Sequence, residues 1–272
     1  MNEIKKLNIR PQQAPDFDWK ELDARVAAAE KAAEEATIRR NLKESGAFAE
    51  DLAAAGWNNF LNVAGNQSQL TARRICEEYT RQILKEKTAA TLLMYGPSST
   101  GKTFYALSVL KAFCNTQKPP LKIKKQNGTW EDANIKQWHR GYYTTSETAC
   151  RLLTDTTWED KAERRHKARK LMEAELLIID EIGRSLQTQK KERDSLFEIL
   201  NARISNRRPT ILISNMTESE LTDLFGTALF NRINAVALIF DASKLPNMRD
   251  PQIQQQLKAR REANGRTTMS AL

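Results

Sequence analysis

The chain holds 272 residues, 40% of them hydrophobic and 28% charged, a balance that suits a soluble globular protein. Its net charge of +9 favours a polyanionic partner without proving one. No run of about 18 apolar residues is available to span a membrane. The opening MNEIKKLNIRPQQAPDF lacks the apolar core of a signal peptide, so a cytoplasmic protein with no membrane partner is expected.

The length accommodates one α/β domain of about 200 residues with an appendage. Residues 1–50 read as an N-terminal helical extension, with 1–19 flexible around Pro11 and Pro15. From Asp18 to Ser45 the text is rich in Ala, Glu and Lys and free of Gly and Pro. Leu22, Val26, Ala29, Ala33 and Ala36 fall on one helical face, a narrow stripe that cannot build a core. Two readings stay open for it: a solvated helix packed loosely on the main domain, or a docking helix for another protein.

Residues 51–250 read as the main domain. A helix is expected from Gln67 to Glu86, running into a strand at Ala90–Tyr95. Further apolar runs stand at Gly141–Thr145, Glu175–Asp180, Pro209–Ser214 and Ala235–Phe240, with helical patterns between them. Alternation of this kind predicts an α/β fold with a five-stranded parallel sheet sandwiched by helices. Residues 251–272 form a polar, basic tail, expected as a short helix followed by disorder. Cys76, Cys114 and Cys150 are far apart with no C-x-x-C pairing, which argues for buried free thiols over a disulfide framework or zinc site.

After the first strand comes GPSSTGKT, that is Gly96, Pro97, Ser98, Ser99, Thr100, Gly101, Lys102 and Thr103. It satisfies G-x-x-x-x-G-K-[ST] between a strand and a helix. Backbone N–H groups freed by the glycines would wrap phosphates at a helix N-terminus. Lys102 would reach the β- and γ-phosphates, and Thr103 would ligate Mg²⁺. In LLIIDEIG, four apolar residues end on Asp180, placed to hold the Mg²⁺ shell, and on Glu181, placed to polarise an attacking water. Asn215 closes the next strand, where its amide would orient that water or read the γ-phosphate; a plain turn residue is the other reading. Neither N-K-x-D nor L-S-G-G-Q is present, so a GTPase and an ABC-type ATPase both fall away.

Two basic stretches speak to nucleic acid. Between Lys118 and Tyr143, Lys122, Lys124, Lys125, Lys136 and Arg140 interleave with Trp130, Trp138, Tyr142 and Tyr143. Cations for phosphates and rings for bases make a single-strand binding surface; the NGTW centre reads equally as an ordinary hairpin. The second stretch, KAERRHKARK, carries Arg164, Arg165 and Lys167 and is either a phosphate-tracking helix or a solvated one.

Together these motifs resemble the AAA+ ATPases of the DnaC/IstB-like group over roughly Trp57 to Arg249. The resemblance rests on GPSSTGKT, on LLIIDEIG with Gly183, on RRPTILISN, on LFGTALFNRI and on the lead-in WNNFLNVAGNQSQLTARRICEEYTRQI. It implies an ATPase using ATP and Mg²⁺, with an AAA+ sheet and no full lid domain. It further implies that Arg232 is an arginine finger acting in trans through self-association. From the residues alone, Arg232 reads as a helix-ending surface arginine. Arg249 matches the sensor-2 position, although Asn247-Met248-Arg249 stands where relatives have Ser-Tyr-Arg. Within the group, a helicase loader would bind a hexameric replicative helicase through the N-terminal helix and single-stranded DNA through its AAA+ assembly. A transposition helper would bind duplex DNA and a transposase. A DNA-binding module with incidental hydrolysis is a third reading.

Overall fold

The computed structural model describes residues 19–85, 91–125, 128–133, 135–155, 157, 159–184 and 189–259. Of the segment expected to be flexible (1–19), residues 1–18 lie outside the described residues, as do 260–272, Ala90 of the first strand and Asn127 of the NGTW turn, while Trp19 opens the first helix. Two compact units are distinguished, Met1–Thr37 and Ile38–Leu272. Helix α1, Trp19–Lys43, supplies the described part of the first unit and continues into the second. Its Ala-, Glu- and Lys-rich text carries strong helix propensity but little amphipathicity, and Val26 of the predicted stripe is 49% exposed.

The second unit is built on five parallel strands in the order β4-β5-β6-β1-β7. They are β1 Thr91–Tyr95, β4 Gly141–Thr145, β5 Leu176–Ile182, β6 Thr210–Ser214 and β7 Ala237–Asp241. Every sheet strand matches an apolar run in the sequence, with boundaries shifted by one or two residues in β5, β6 and β7. β5 continues past Asp180 to Ile182, and β7 starts two residues late because Ala235 still caps the preceding helix in αR conformation.

Period-two alternation divides the strand side chains between two apolar layers. Leu92, Met94, Ile178, Ile211 and Ile213 face one layer with α3 (Gln67–Lys85) and α4 (Lys102–Cys114). Leu93, Leu177, Ile179 and Leu212 face the other. That second layer is completed by α5 Ser146–Thr154, α6 Lys161–Glu173, α7 Gln189–Ser205, α8 Glu218–Phe225 and α9 Thr227–Asn234. Each fully buried aliphatic contributes about 1.5–3 kcal/mol, which explains why strands with no polar face are stable here. The three cysteines are free and buried.

Several features were not visible in the sequence. A short helix, α2 Ala49–Ala54, ends on Lys111 of α4, whose ammonium donates to the carbonyls of Leu52 at 3.0 Å and Ala55 at 2.7 Å. Arg203 of α7 is fully buried and donates to Thr210 Oγ1, Pro209 O and Leu171 O, tying the end of α6 to the start of β6. Burial pushes its pKa down to about 9. Between α4 and β4 stands a separate antiparallel pair, β2 Lys122–Lys124 and β3 Trp130–Asp132, so the hairpin reading of that stretch holds. Among the described residues no helix is long and apolar enough to cross a membrane.

Candidate active site

The phosphate-binding loop leaves β1 at the C-terminal end of the sheet and enters α4. Gly96 (φ 117°) and Gly101 (φ 88°) take backbone conformations that L side chains avoid. A Cβ at Gly96 would lie 3.1 Å from the backbone nitrogen of Ser243, so the residue is required sterically as well. Ser99 follows the same bend with φ 64°. Pro97 and Ser98 are exposed at the crest, while Thr100 is buried and donates to Pro97 O at 3.0 Å. The loop is held from outside by two backbone bonds: Gly96 N–H donates to Met216 O at 3.2 Å, and Met248 N–H donates to Ser99 O at 2.7 Å.

Lys102, 4% exposed, folds back over this loop, its ammonium donating to Gly96 O at 2.8 Å and Pro97 O at 2.6 Å. Burial pulls its pKa down to about 8, with the Asp180 carboxylate acting in the opposite direction. Asp180 is itself 5% exposed and takes three donors. Thr103 Oγ1 reaches Oδ2 at 2.8 Å, Tyr143 Oη reaches Oδ2 at 3.1 Å, and the Glu181 N–H reaches Oδ1 at 2.7 Å. Thr103 and Asp180 thus present hard oxygen donors side by side, the ligand set that suits Mg²⁺.

Glu181 is exposed at the end of β5 with φ 59°, an uncommon conformation that turns its side chain away from the buried strand. The backbone behind it is clamped. Gly183 N–H donates to Glu192 Oε1 at 2.9 Å, and the same buried oxygen accepts from Ser146 Oγ. A Cβ at Gly183 would meet Met216 Sδ at 2.1 Å. Ser214 Oγ donates to Ile182 O at 2.8 Å, which joins the ends of β5 and β6. Asn215 therefore stands between the residue bonded to the Glu181 loop and Met216, whose carbonyl holds Gly96.

A cavity of about 200 Å³ opens beside Thr100, Gly101 and Thr103, walled by Phe60, Leu61, Gln69, Tyr105, Met248 and Leu257. Gln69 shapes this wall, accepting from Val63 N–H at 2.7 Å and donating to Leu61 O at 3.3 Å. Apolar surface next to a phosphate loop suits a nucleoside. Phe60, Leu61 and Gln69 come from the lead-in segment and Met248 from beside Arg249, but only their proximity in space identifies them as a wall of this site. Tyr143 and Glu192 are likewise functional candidates that sequence reasoning missed.

Arg249 is exposed and follows Met248, whose N–H holds the loop, so its backbone stands beside the phosphate-binding loop. Arg232 does not. It is exposed on α9, with its guanidinium on Asn201 Oδ1 and, at 3.4 Å, on Ser205 Oγ in the last turns of α7. Both groups lie where α7 and α9 return to the N-terminal ends of β6 and β7, the end of the sheet opposite the loop.

The nucleic-acid candidates divide. Lys124 pairs across the hairpin with Trp130, which is 64% exposed, and Lys122 shares that face, as does Asp132. Lys125 points to the other face, ion-paired with Glu131 at 2.5 Å. Trp138 is a correction: it is only 9% exposed and bridges to Gln117, so its ring is closed to a base. On α6, Arg164 donates to Asp155 O at 2.7 Å, Arg165 to Lys161 O at 3.2 Å, and Lys167 pairs with Glu163 at 2.7 Å. Each of these three cations has a local partner on or beside α6.

Comparison with known proteins accords with this geometry. Residues 131–245 match the family described as IstB-like ATP binding protein. The chain is 26% identical over 222 residues to the replicative helicase loader DnaC of Escherichia coli (strain K12), covering 80% of this chain and 79% of that protein. The crystal structure of DnaI is similar with a TM-score of 0.51 at 15% identity, covering 72% of this chain and 95% of that one. Domain III of the Thermotoga maritima replication initiation protein DnaA gives 0.52 at 20% identity, covering 76% and 72%. The chain shares the fold of these solved structures, and it is similar in sequence to DnaC and to the IstB-like ATP binding proteins.

Proposed function

We propose that this chain, similar to the DnaC/IstB-like AAA+ ATPases, is an ATP-dependent loader of a replicative helicase. The observation that carries the reading is the Thr103–Asp180–Glu181 constellation under the phosphate loop, in a chain alike to DnaC over most of its length. ATP would lie with its phosphates on the N–H groups of residues 96–103 and its nucleoside against Phe60 and Tyr105. Lys102 would exchange the Gly96 and Pro97 carbonyls for phosphate oxygens, a favourable trade for a buried ammonium. Thr103 and Asp180 would hold Mg²⁺, which supplies charge neutralisation when bound. Glu181 would take the proton of the attacking water, with Asn215 orienting that water.

Arg232, at the far end of its own sheet, would serve the site of a neighbouring copy, where a guanidinium offsets charge developing on the γ-phosphate. Hydrolysis then waits on assembly and would control release. Residues 1–50 would dock a hexameric helicase, and the hairpin face of Lys122, Lys124 and Trp130 would take single-stranded DNA. The match of residues 131–245 to the IstB-like family favours a second reading, a transposition helper acting on duplex DNA with a transposase.

Affinity capture with the full chain and with a variant lacking residues 1–50 separates the two. Recovery of a hexameric helicase, lost with the truncation, together with preference for single strands, supports the loader. Recovery of a transposase with duplex preference replaces it by the second reading.

A further inference from the structure

One face of α6 remains after Arg164, Arg165 and Lys167 are accounted for. His166, Arg169, Lys170 and Glu173 recur at three- and four-residue spacing, so they share that face. They line a second cavity together with Asn41, Arg140 and Tyr142. It lies at the first residues of β4, the end of the sheet opposite the phosphate loop, so it is not part of the nucleotide site.

The floor of this cavity is fixed by an edge-strand contact. Tyr143 N–H donates to Ser45 O at 2.6 Å, which binds the segment after α1 to the free edge of β4. Gly46 makes the approach possible, since at φ +87° a Cβ would come within 2.7 Å of Tyr143 O. Asn41 is thereby held 3% exposed in the cavity wall, with its Oδ1 lacking any hydrogen-bond partner. Buried amides are normally satisfied, so this one calls for an explanation.

The charges around it are poorly neutralised by one another. Lys170 lies 5.5 Å over the Tyr142 ring. Arg140 and Arg169 make no ion pair among the described residues. Glu44, Glu173 and Glu175 also reach the wall; Glu175 is engaged by Lys118 at 2.6 Å and His139 at 2.9 Å, and Glu44 and Glu173 are exposed, as are Arg140 and Arg169. Two guanidinium forks and an ammonium at the rim match the oxygens of a phosphate. Half a turn of the Asn41 amide offers its NH₂ to the same group.

We infer that this cavity binds a phosphate group, carried either by a nucleic-acid backbone or by a free phosphate compound. The test uses the full chain with its phosphate loop saturated by a non-hydrolysable ATP analogue and Mg²⁺. Single-stranded oligothymidylate is titrated at several salt concentrations, and inorganic phosphate is followed through the ring protons of His166. Arg140→Gln/Arg169→Gln removes both guanidinium groups from the one phosphate, and the salt slope should flatten by about 0.7, the value for one phosphate contact on a single strand. Asn41→Leu removes the amide whose Oδ1 is unpartnered; its melting temperature should hold or rise while the phosphate response weakens several-fold.

A flattened slope assigns the site to a nucleic-acid backbone. A His166 response to inorganic phosphate that Asn41→Leu abolishes, with an unchanged slope, assigns it to a free phosphate compound. If neither the slope nor the His166 resonance responds in any protein, the inference is overturned and the cavity holds only water. Loss of oligonucleotide binding on Trp130→Ala, with the slope unchanged in the cavity variants and His166 silent to inorganic phosphate, leaves the DNA reading of the hairpin intact while this inference fails.

Discussion

Replacing Tyr143 by phenylalanine removes one hydroxyl from beneath the phosphate loop and leaves the ring packing in place. That hydroxyl lies 3.1 Å from Asp180 Oδ2, a carboxylate only 5% exposed. A hydrogen bond to a charged acceptor is worth about 1.5–3 kcal/mol, and the long distance places this one at the lower end. No cavity forms, so no packing cost is added. Asp180 keeps the Thr103 hydroxyl and the Glu181 N–H, so the carboxylate is loosened rather than orphaned. The melting temperature without nucleotide should fall by about 3–6 °C. Burial and the Asp180 charge both push the Tyr143 pKa upward, so the donor is present at every practical pH and the loss should not vary between pH 6 and 9. A less constrained Asp180 should also raise the Mg²⁺ concentration for half-maximal ATPase several-fold while the plateau rate changes less. Manganese binding by electron paramagnetic resonance in the presence of ADP gives the same quantity without turnover. A Tyr143→Phe protein with an unchanged melting temperature and unchanged metal half-saturation would refute the reasoning.

Three other outcomes are expected. Glu181→Gln should bind ATP as the parent does yet hydrolyse it at least about 100-fold more slowly, as for loss of a general base; unchanged turnover removes Glu181 from that role. Mixing Arg232→Ala with Lys102→Ala subunits should restore part of the ATPase that each lacks alone, because mixed interfaces pair an intact loop with an intact finger; failure at every ratio argues against a site shared between copies. Lys102 has a folded-state pKa lowered to about 8 by burial, below its ordinary value of 10.5. Above pH 8 the free protein therefore holds Lys102 largely neutral, and phosphate, which favours the ammonium, should draw a proton in on binding. Calorimetry at pH 8.5 in buffers of different ionisation enthalpy should report uptake that shrinks towards pH 6.5 and is absent in Lys102→Met. The same shift makes the unfolded chain bind more protons between pH 8 and 10.5, so this group adds stability as pH rises through that window.

What could be read from the chain without coordinates was whatever is local. The loop at 96–103 needs two glycines at fixed spacing because backbone conformation there is decided residue by residue, with Gly96 and Gly101 at positive φ. The five sheet strands were legible because strands buried on both faces read as unbroken apolar runs. Asp180 and Glu181 were legible because they end such a run. Tertiary structure decided whatever depends on which distant surfaces meet. Tyr143 read as one of the rings available to a base until β4 paired with β5 and brought its hydroxyl to Asp180. Trp138 looked like a stacking surface until it was buried, and Arg164, Arg165 and Lys167 looked free until Asp155, Lys161 and Glu163 engaged them. Arg203 places its donors on Leu171 O, Pro209 O and Thr210 Oγ1, and Asn41 Oδ1 is left without a partner where the end of α1 closes on an edge strand. Hydrogen bonding between groups tens of residues apart has no period or spacing in the chain. Packing alone reveals it, and so composition could suggest a nucleic-acid partner but not which cations remain available to meet one.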